Sequence, residues 1–487
     1  MKRSILFLVG MFLLPLCVHA QEGLPLFTKD FTPDEFAQRR NKVYEAIGAN
    51  ALAVVQGAPS PIGYVRFRQS NEFYYLCGVE APHAYLLLDG AARRASLYLP
   101  HRNEGRERSE GKVLSAEDAG LVIELSGIDA VYGVELLGEH LARFARTADK
   151  QALFVPFSPA EGFATSRDLA LRTVGDIAAD PWDGRPSREG YFIDLLRTRF
   201  PHFEVKNLTP ILDQLRLIKT PAEIALIRRA SRLSGSALLE GMRSTKPGLL
   251  EYELDAMAKF VFYRNGAQGE AYYSLIASAS NAWYPHYNAG KRQMQDGDFL
   301  LMDFAPDVGY YMSDLTRMWP VNGRFNVWQT ELYDFYLGCY EAILNAIRPN
   351  VTAATIKLEA VKTMEGLFAK SKFSQPHHQK AAREFVESYR AGAMNPNTSL
   401  GHWIGMATHD VGMHTGPLQP GMVFTIEPAL RVPEEKIYIR LEDVVVITSN
   451  GKEVLSDFVP RDRSRIEKIM AEHGMLEEYA AEQWTSK

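Results

Sequence analysis

Apolar and polar positions alternate with two different spacings in the first part of the chain. Residues 39–48, RRNKVYEAIG, place apolar side chains at helical spacing and predict an amphipathic helix. The short apolar runs ALAVVQG, AYLLLDG and ASLYLP each end at Gly or Pro and predict core strands. This part of the chain is therefore expected to mix helices with short strands.

A second pattern begins at residues 219–230, KTPAEIALIRRA. Thr220 can cap a helix, Pro221 fits its first turn, and Glu223 completes a capping box three residues after Thr220. From there to about Ile447, helical segments alternate with the predicted strands DFLLMDFA, MVFTIEPAL and KIYIRLEDVVVI. We interpret this region as a second α/β domain.

The length of 487 residues also favours two domains over one. We expect a signal peptide over 1–20, an N-terminal domain over 21–212, a second domain over 213–465, and a helical tail over 466–487. Residues 161–200, rich in charge, Gly and Pro, are expected to form a surface insertion or loop-linked helices. The net charge of −5 offers no basic surface, so nucleic-acid binding is not expected.

The first twenty residues have the composition of a secretory signal. Lys2 and Arg3 precede an apolar run, and Val18-His19-Ala20 resembles a small-residue cleavage site. No comparable apolar stretch follows, so the mature chain is expected to have no transmembrane segment. The sequence predicts export, to a periplasm or to the outside.

Four carboxylates interrupt apolar runs predicted as strands and are expected at core-strand positions: Asp303, Asp314, Glu427 and Glu442. A single aspartate there is more often an ion-pair partner or a turn residue. Four together are costly to bury unless they are paired or bind a cation. If KIYIRLEDVVVI is one strand, Arg440 shares a face with Glu442 and could hold a carboxylate in place.

Together with His402, these carboxylates form an oxygen-rich donor set with one imidazole. Such a set suits Mn²⁺, Co²⁺ or a similar divalent ion better than a single Zn²⁺. Five ligands would be fully used by two metal ions bridged by carboxylates and a water.

The order of these residues resembles that of a known family. Asp303, Asp314 eleven residues later, His402, Glu427 and Glu442 resemble the ligand series of the pita-bread metallopeptidases, which include creatinase, prolidase and methionine aminopeptidase. Within that group the similarity is greatest to aminopeptidase P, the Xaa-Pro aminopeptidase. The segments that carry it are FRQSNEFYYLCGV, RLIKTPAEIALIRRA, DGDFLLMDFAPDVGYYMSDLTRMW, GHWIGMATHDVG, PGMVFTIEPAL and IRLEDVVVIT.

The resemblance implies an α/β (α+β) fold, with a creatinase-like mixed-sheet domain followed by a pita-bread catalytic domain. It implies that Asp314 and Glu442 bridge two metal ions, most readily Mn²⁺, with Co²⁺ or Zn²⁺ as alternatives. Asp303 would complete one metal, and His402 and Glu427 the other. Relatives commonly form dimers or tetramers, so a homodimer or homotetramer is expected.

The resemblance also implies catalytic roles. His409 would face the substrate peptide group, and His286 would line the same pocket. Glu427 could carry a proton, and Arg440 is a further candidate catalytic residue. Tyr284 and Trp403 are expected to contact the proline ring. Thr398 stands where members of this family often have another histidine.

The implied activity is removal of the N-terminal residue from peptides with proline second, by attack of a metal-activated hydroxide. The alternatives are a prolidase acting on Xaa-Pro dipeptides and a catalytically silent pita-bread binding module. Residues 371–397 are expected to be an insertion, with His377 and His378 in a solvated loop.

Overall fold

The computed structural model describes residues 26–145, 152–162 and 165–479. The expected signal peptide at 1–20 and the end of the expected tail lie outside these residues. Within the described residues, no helix combines the length and the apolar character that crossing a membrane requires.

The N-terminal part of the chain builds one mixed sheet with helices around it. Its strands are β1 (Ala51–Gln56), β2 (Tyr85–Asp89), β3 (Arg94–Leu99), β4 (Ala130–Gly133), β5 (Ala152–Val155) and β6 (Glu204–Asn207). Its helices are α1 (Pro33–Ile47), α2 (Asn71–Cys77), α3 (Glu104–Glu110), α4 (Ala119–Ser126), α5 (Leu136–Ala145), α6 (Arg167–Ala179), α7 (Arg188–Arg199) and α8 (Thr209–Leu217).

The strand order in this sheet is β4-β3-β2-β1-β5-β6. β2 runs antiparallel to both β1 and β3, whereas β4, β5 and β6 each run parallel to a neighbour. The three apolar runs predicted as strands form β1, β2 and β3, and the predicted amphipathic helix forms most of α1. The expected mixed-sheet domain is thus confirmed.

The C-terminal part alternates longer helices with small antiparallel sheets. Its helices are α9 (Pro221–Ser244), α10 (Glu251–Arg264), α11 (Val327–Ala346), α12 (Ala353–Lys370), α13 (Pro376–Ala393), α14 (Arg463–Met470) and α15 (Met475–Glu478). Its strands are β7 (Gly269–Glu270), β8 (Leu275–Ser278), β9 (Phe299–Phe304), β10 (Pro306–Asp307), β11 (Leu315–Pro320), β12 (Val423–Ile426), β13 (Ala429–Val432), β14 (Ile437–Arg440), β15 (Asp443–Thr448) and β16 (Gly451–Val454).

Helix α9 begins as the sequence predicts. The Thr220 hydroxyl accepts from the Glu223 backbone N–H at 3.3 Å, and the Glu223 carboxylate accepts from the Thr220 N–H at 2.8 Å. Ile227 and Ala230 on this helix are fully buried. Two α/β domains are therefore confirmed, although the exact boundaries stay predictions.

Two apolar runs, each predicted to form a single strand, are divided into two strands in the structure. MVFTIEPAL divides into β12 and β13, and KIYIRLEDVVVI divides into β14 and β15. β12 pairs with β15, whereas β13 pairs with β14, so both chain segments pass from one sheet to the other at the break. At one break, the Leu441 N–H donates to the Tyr336 hydroxyl at 2.8 Å and the Glu442 N–H to the Thr316 carbonyl at 3.0 Å. Because Leu441 and Glu442 bond to Tyr336 and Thr316, they do not continue the β13–β14 pairing.

Two other expectations need correction. Of the two alternatives for residues 161–200, the structure has the loop-linked helices, α6 and α7; the segment is not purely a surface insertion, because Glu161 at its start is buried against Arg167 and Arg216. His377 and His378 do not lie in a solvated loop: both belong to the first turn of α13, which Pro376 begins, and His378 is only 1% exposed.

Candidate metal centre

The four carboxylates meet where strands break or begin. Asp303 lies inside β9, Asp314 immediately precedes β11, Glu427 follows β12, and Glu442 separates β14 from β15. In the β9–β11 ladder Asp303 stands opposite Thr316, and a single bridge joins Thr316 to Glu442. This register places carboxylates from three segments side by side. Only Asp303 occupies the strand interior that the sequence pattern suggested for all four.

His402 completes the cluster. Its Nε2 lies 3.4 Å from Asp314 Oδ2, 3.5 Å from Glu427 Oε1 and 3.7 Å from Glu442 Oε1. Donor atoms of Asp314, His402 and Glu442 all lie within 4.8 Å of one another. The structure thus brings the predicted ligands together, and their role in binding metal stays a prediction.

The segment that carries His402 packs tightly against β12. The His402 N–H donates to the Thr425 hydroxyl at 3.2 Å, and the Thr425 N–H donates to the His402 carbonyl at 2.9 Å. A Cβ atom on Gly401 would lie 2.2 Å from the Thr425 carbonyl oxygen, so only glycine permits this approach. His402 Nδ1 lies 3.2 Å from the Trp403 carbonyl, which can accept only from an Nδ1–H, so Nε2 is the ring nitrogen that would offer its lone pair to a metal ion once it has lost its proton.

Two further side chains hold the carboxylates. The Arg440 guanidinium donates to Asp303, lies 3.4 Å from Glu427 Oε2 and 3.8 Å from Glu442 Oε2. The Tyr272 hydroxyl lies 2.5 Å from Asp303 Oδ1 and also contacts Asp314 Oδ1. No feature of the sequence distinguishes Tyr272 from its neighbour Tyr273, so sequence reasoning missed it.

Burial and neighbouring charges shift the pKa values of the cluster. Burial raises the pKa of Asp303 to about 7, although Arg440 opposes it. Burial and then the Asp314 charge raise the pKa of Glu442 well above its ordinary value. Burial alone would lower the pKa of His402, but its hydrogen bond to Asp314 and the Glu427 charge raise it to about 9. Burial opposes ionisation of Asp314 too, but the same contact with His402 lowers its pKa.

This donor set fits divalent cations. Arg440 and His402 together cannot balance four ionised carboxylates, and buried carboxylates need paired charges or a cation. Glu442 Oε1 is buried and has no hydrogen-bond partner within the described residues, while Thr316 donates to its Oε2 at 2.8 Å. A lone pair left without a partner here is available to a metal ion.

His409 lies beside this cluster and is held by the N-terminal domain. Its ring centroid is 4.1 Å from that of His402, and its Nδ1 is 3.2 Å from both carboxylate oxygens of Asp168 in α6. The Arg167 N–H donates to the His409 carbonyl at 3.1 Å. Burial and then the His402 charge lower the pKa of His409. Asp168 was not predicted, because it lies in the segment expected to be an insertion.

Trp403 lines a cleft next to the cluster. It is 4% exposed and stacks on His414 with ring centroids 4.7 Å apart. Thr398 lines the same cleft, and its hydroxyl accepts from Lys357 Nζ at 2.6 Å.

Tyr284 and His286 are exposed in the loop that follows the 3₁₀ turn Ala279–Trp283. The turn packs against β14, which carries Arg440. Among the described residues, no hydrogen bond or ion pair joins either side chain to the cluster. Their predicted roles in substrate binding stay predictions.

Comparison with known families matches both domains. Residues 225–449 match Metallopeptidase family M24, and residues 36–154 match "Aminopeptidase P, N-terminal domain". The M24 match contains all the candidate metal ligands.

Individual relatives match along nearly the whole chain. The Xaa-Pro aminopeptidase of Escherichia coli is 28% identical, over 91% of this chain and 98% of its own. "Intermediate cleaving peptidase 55, mitochondrial" of Arabidopsis thaliana is 29% identical, over 90% of this chain and 83% of its own. E. coli aminopeptidase P solved with the inhibitor Pro-Leu superposes with a TM-score of 0.72 at 27% identity, over 90% of this chain and 98% of that one. The structure of a putative aminopeptidase P from Bacillus anthracis superposes with a TM-score of 0.76 at 24% identity, over 91% of this chain and 99% of that one. At this identity the similarity supports the fold alone.

Proposed function

The chain belongs to the aminopeptidase P family of M24 metallopeptidases, and from this premise we propose that it removes the N-terminal residue from peptides with proline at the second position. The observation that carries the proposal is the convergence of four carboxylates and the His402 imidazole at the strand breaks. A silent binding module would have no need of this costly cluster of like charges.

We propose that Asp303, Asp314, His402, Glu427 and Glu442 hold two divalent ions. Mn²⁺ suits a set with four carboxylates and one imidazole, and the same donors also accept Co²⁺ or Zn²⁺. When bound, such a pair supplies an acidified water and a Lewis acid for the scissile carbonyl. Arg440 and Tyr272 fix the orientation of the carboxylates that they contact.

Glu427 is suited to carry the proton to the leaving nitrogen. Its side chain is 25% exposed, whereas that of Glu442 is 1% exposed and that of Asp303 is 3% exposed. Substrate can therefore reach Glu427 from the open side of the cluster. The Thr425 hydroxyl at 3.3 Å and Arg440 hold the carboxylate in place.

His409 is suited to donate to the oxygen on which charge develops. The Asp168 carboxylate at its Nδ1 favours the imidazolium form, which carries an Nε2–H for the substrate, and so opposes the burial and the His402 charge that lower the pKa of His409. His286, exposed on the neighbouring loop, is proposed to face the same pocket from the other side.

Proline selectivity is assigned to the cleft beside Gly401. Trp403 is buried and supports the partly exposed His414 ring that stacks on it. We propose that these stacked rings form a wall for a pyrrolidine ring and that Tyr284 covers it from the exposed loop. Proline has a fixed φ and no N–H, so a rigid wall recognises it better than a backbone donor or acceptor would.

The proposal is tested with three peptides and the metal-stripped chain. Arg-Pro-Pro, Gly-Pro and Arg-Ala-Pro are each incubated with and without added Mn²⁺, and release of the first residue is followed. We expect arginine from Arg-Pro-Pro only with metal, and little from Arg-Ala-Pro.

Each other outcome identifies a different function. Cleavage of Gly-Pro alone would make the protein a prolidase, and equal cleavage of Arg-Ala-Pro would remove proline selectivity. No cleavage of any peptide by the metal-loaded chain would favour a binding module.

We further propose that residues 1–20 direct export and are removed, and that the mature chain forms a homodimer or homotetramer. The charged start, apolar run and small-residue site support export. Mass spectrometry of the chain recovered from a secreting host should find Gln21 as the first residue, and light scattering should give the mass of an oligomer. A retained Met1 or a monomer mass would contradict the respective proposal.

A further inference from the structure

A second group of metal-ligating side chains lies away from the metal centre. His377 and His378 stand in the first turn of α13, and Glu435 ends the 3₁₀ turn Pro433–Glu435 between β13 and β14. Donor atoms of the three side chains all lie within 4.8 Å of one another. None of these residues belongs to the proposed catalytic machinery.

The two imidazoles approach a single carboxylate oxygen. His378 Nε2 lies 2.6 Å from Glu435 Oε2, and His377 Nε2 lies 3.1 Å from the same atom. The rings cross nearly at right angles, 79°, with centroids 4.6 Å apart. Neighbouring ligands of a tetrahedral ion with bonds of about 2.0–2.2 Å lie about 3.3–3.6 Å apart. The His377–Glu435 separation is near this spacing, and the shorter His378–Glu435 hydrogen bond would lengthen when an ion enters.

A simple ion pair does not account for this arrangement. His377 Nε2 is buried and within reach of Glu435, yet it forms no hydrogen bond, because the ring nitrogen is not aligned with the oxygen. His378 Nδ1 is likewise buried without a partner in the described part of the chain. One histidine would suffice to pair with Glu435, and a second buried nitrogen without a partner costs about 1–3 kcal/mol.

We propose that His377, His378 and Glu435 form a separate Zn²⁺ site. Two imidazoles and one carboxylate are a known set of protein ligands for zinc, with a water in the fourth position. Water can reach this position because the side chain of Glu435 is 44% exposed and that of His377 is 29% exposed.

The chemistry of the two clusters differs. Imidazole ligands suit Zn²⁺, whereas sets rich in carboxylates suit Mn²⁺. The His377–His378–Glu435 site therefore takes Zn²⁺ in preference to Mn²⁺, so the choice of ion distinguishes it from the carboxylate cluster around His402.

The site would act as a clip between two elements. It joins the first turn of α13 to the turn that connects β13 with β14, and α13 also packs along β13. Because β14 carries Arg440, the clip would stabilise the hairpin behind the metal centre without touching substrate.

The test counts zinc in matched variants of the full chain. Each protein is stripped of metal, loaded with Zn²⁺, desalted and analysed by mass spectrometry for metal per chain. The variants are His377→Ala and Glu435→Gln, which change partly exposed side chains; the buried His378 is left intact. Glu434→Gln, which changes the adjacent carboxylate that pairs with Lys380, and His473→Ala, which changes an exposed histidine, are the controls.

We expect both variants to hold one Zn²⁺ fewer per chain than the wild type and the controls. After loading with Mn²⁺, all five proteins should hold the same number of ions. Zn²⁺ should also raise the Tm of the wild type more than that of either variant. Equal zinc counts in the wild type and in the folded variants would overturn the proposal, and the comparison stands whatever reaction the carboxylate cluster performs.

Discussion

Each side chain of the metal centre has a neighbour that fixes its direction. Thr316 holds Glu442, and the Trp403 carbonyl directs Nε2 of His402 toward the carboxylates. Partners of this kind orient ligands and raise their basicity, and their loss typically reduces metal affinity or activity about 10–100-fold. Substituting the residues that orient the ligands should therefore change metal affinity and activity measurably.

Tyr272→Phe should reduce both Mn²⁺ affinity and kcat by about tenfold. The variant removes only the hydroxyl that lies between Asp303 and Asp314. Mn²⁺ affinity is measured by calorimetry and kcat on Arg-Pro-Pro. Tyr273→Phe, which changes the adjacent and 52% exposed ring, is the control and should match the wild type. Equal loss in both variants would remove the role assigned to Tyr272.

Asp168→Asn should reduce kcat by about tenfold, at the low end of what a positioned proton donor contributes. The amide no longer stabilises an imidazolium at His409, while the backbone contacts of this segment remain. Initial rates on Arg-Pro-Pro at saturating Mn²⁺ separate kcat from KM. Asp176→Asn, an exposed position on the same helix, is the matched control. An unchanged kcat in Asp168→Asn would show that His409 needs no carboxylate.

At the scale of elements, the site lies where two strand segments change partners. Glu427 lies at the break between β12 and β13, and Glu442 at the break between β14 and β15. At both breaks the chain passes from one sheet to the other, so each carboxylate lies at the junction of the two sheets. Pro428 helps to end β12, because proline has no N–H for the ladder. The same breaks that interrupt the strands bring ligands from distant segments to one place.

Gly401→Ala should abolish most activity while the chain still folds. The added methyl would meet the Thr425 carbonyl at 2.2 Å, so the segment that carries His402 must move away from β12. A displacement of about 1 Å can cost about 100-fold in rate. Gly366→Ala in α12, where a Cβ meets nothing within 4 Å, is the control and should retain full activity. Normal kcat in Gly401→Ala would contradict the close packing.

Local signals predicted many elements, and their limits are physical. The Thr220–Glu223 capping box and the apolar runs of β1 to β3 involve residues close in sequence, so the pattern contains the information. The breaks depend on partners far away in sequence: the Tyr336 hydroxyl donates to the Pro428 carbonyl beside Glu427 and accepts from the Leu441 N–H, and the Thr316 carbonyl accepts from the Glu442 N–H. Pro376 is a local signal for the start of α13, because proline favours the first turn of a helix.

The site residues also fall into those that a local pattern indicates and those that only a long-range contact defines. The carboxylates and His402 were found because charged groups stand against apolar patterns. The contact of Asp168 with His409 joins residues 241 positions apart and crosses from one domain to the other. No local pattern contains such a contact.

At the scale of the whole molecule, a buried ionic network joins the two domains. Arg216 in α8 contacts Glu72 at 3.2 Å, Glu161 at 3.2 Å and Asp410 at 2.6 Å. Asn71 donates to the Met406 carbonyl at 3.1 Å. The N-terminal domain thus holds both ends of the segment from Met406 to Asp410, which includes His409.

Arg216→Ala should lower the free energy of unfolding by about 3–5 kcal/mol, because it leaves buried carboxylates without their partner. It should also reduce kcat, since Asp410 next to His409 loses an anchor. Denaturant titration and rates on Arg-Pro-Pro measure the two effects. Arg199→Ala at the exposed end of α7 is the control. A stable and fully active Arg216→Ala would show that the network does not couple the domains.

The most direct test of the central claim is a Mn²⁺ titration of the metal-stripped chain, with arginine release from Arg-Pro-Pro followed at each step. The account predicts almost no release without metal, and a rate that rises to a plateau at two equivalents of Mn²⁺ per chain. Full release by the metal-free chain, or a Glu442→Gln variant that reaches the same plateau, would contradict the assignment of this cluster as a two-metal peptidase centre.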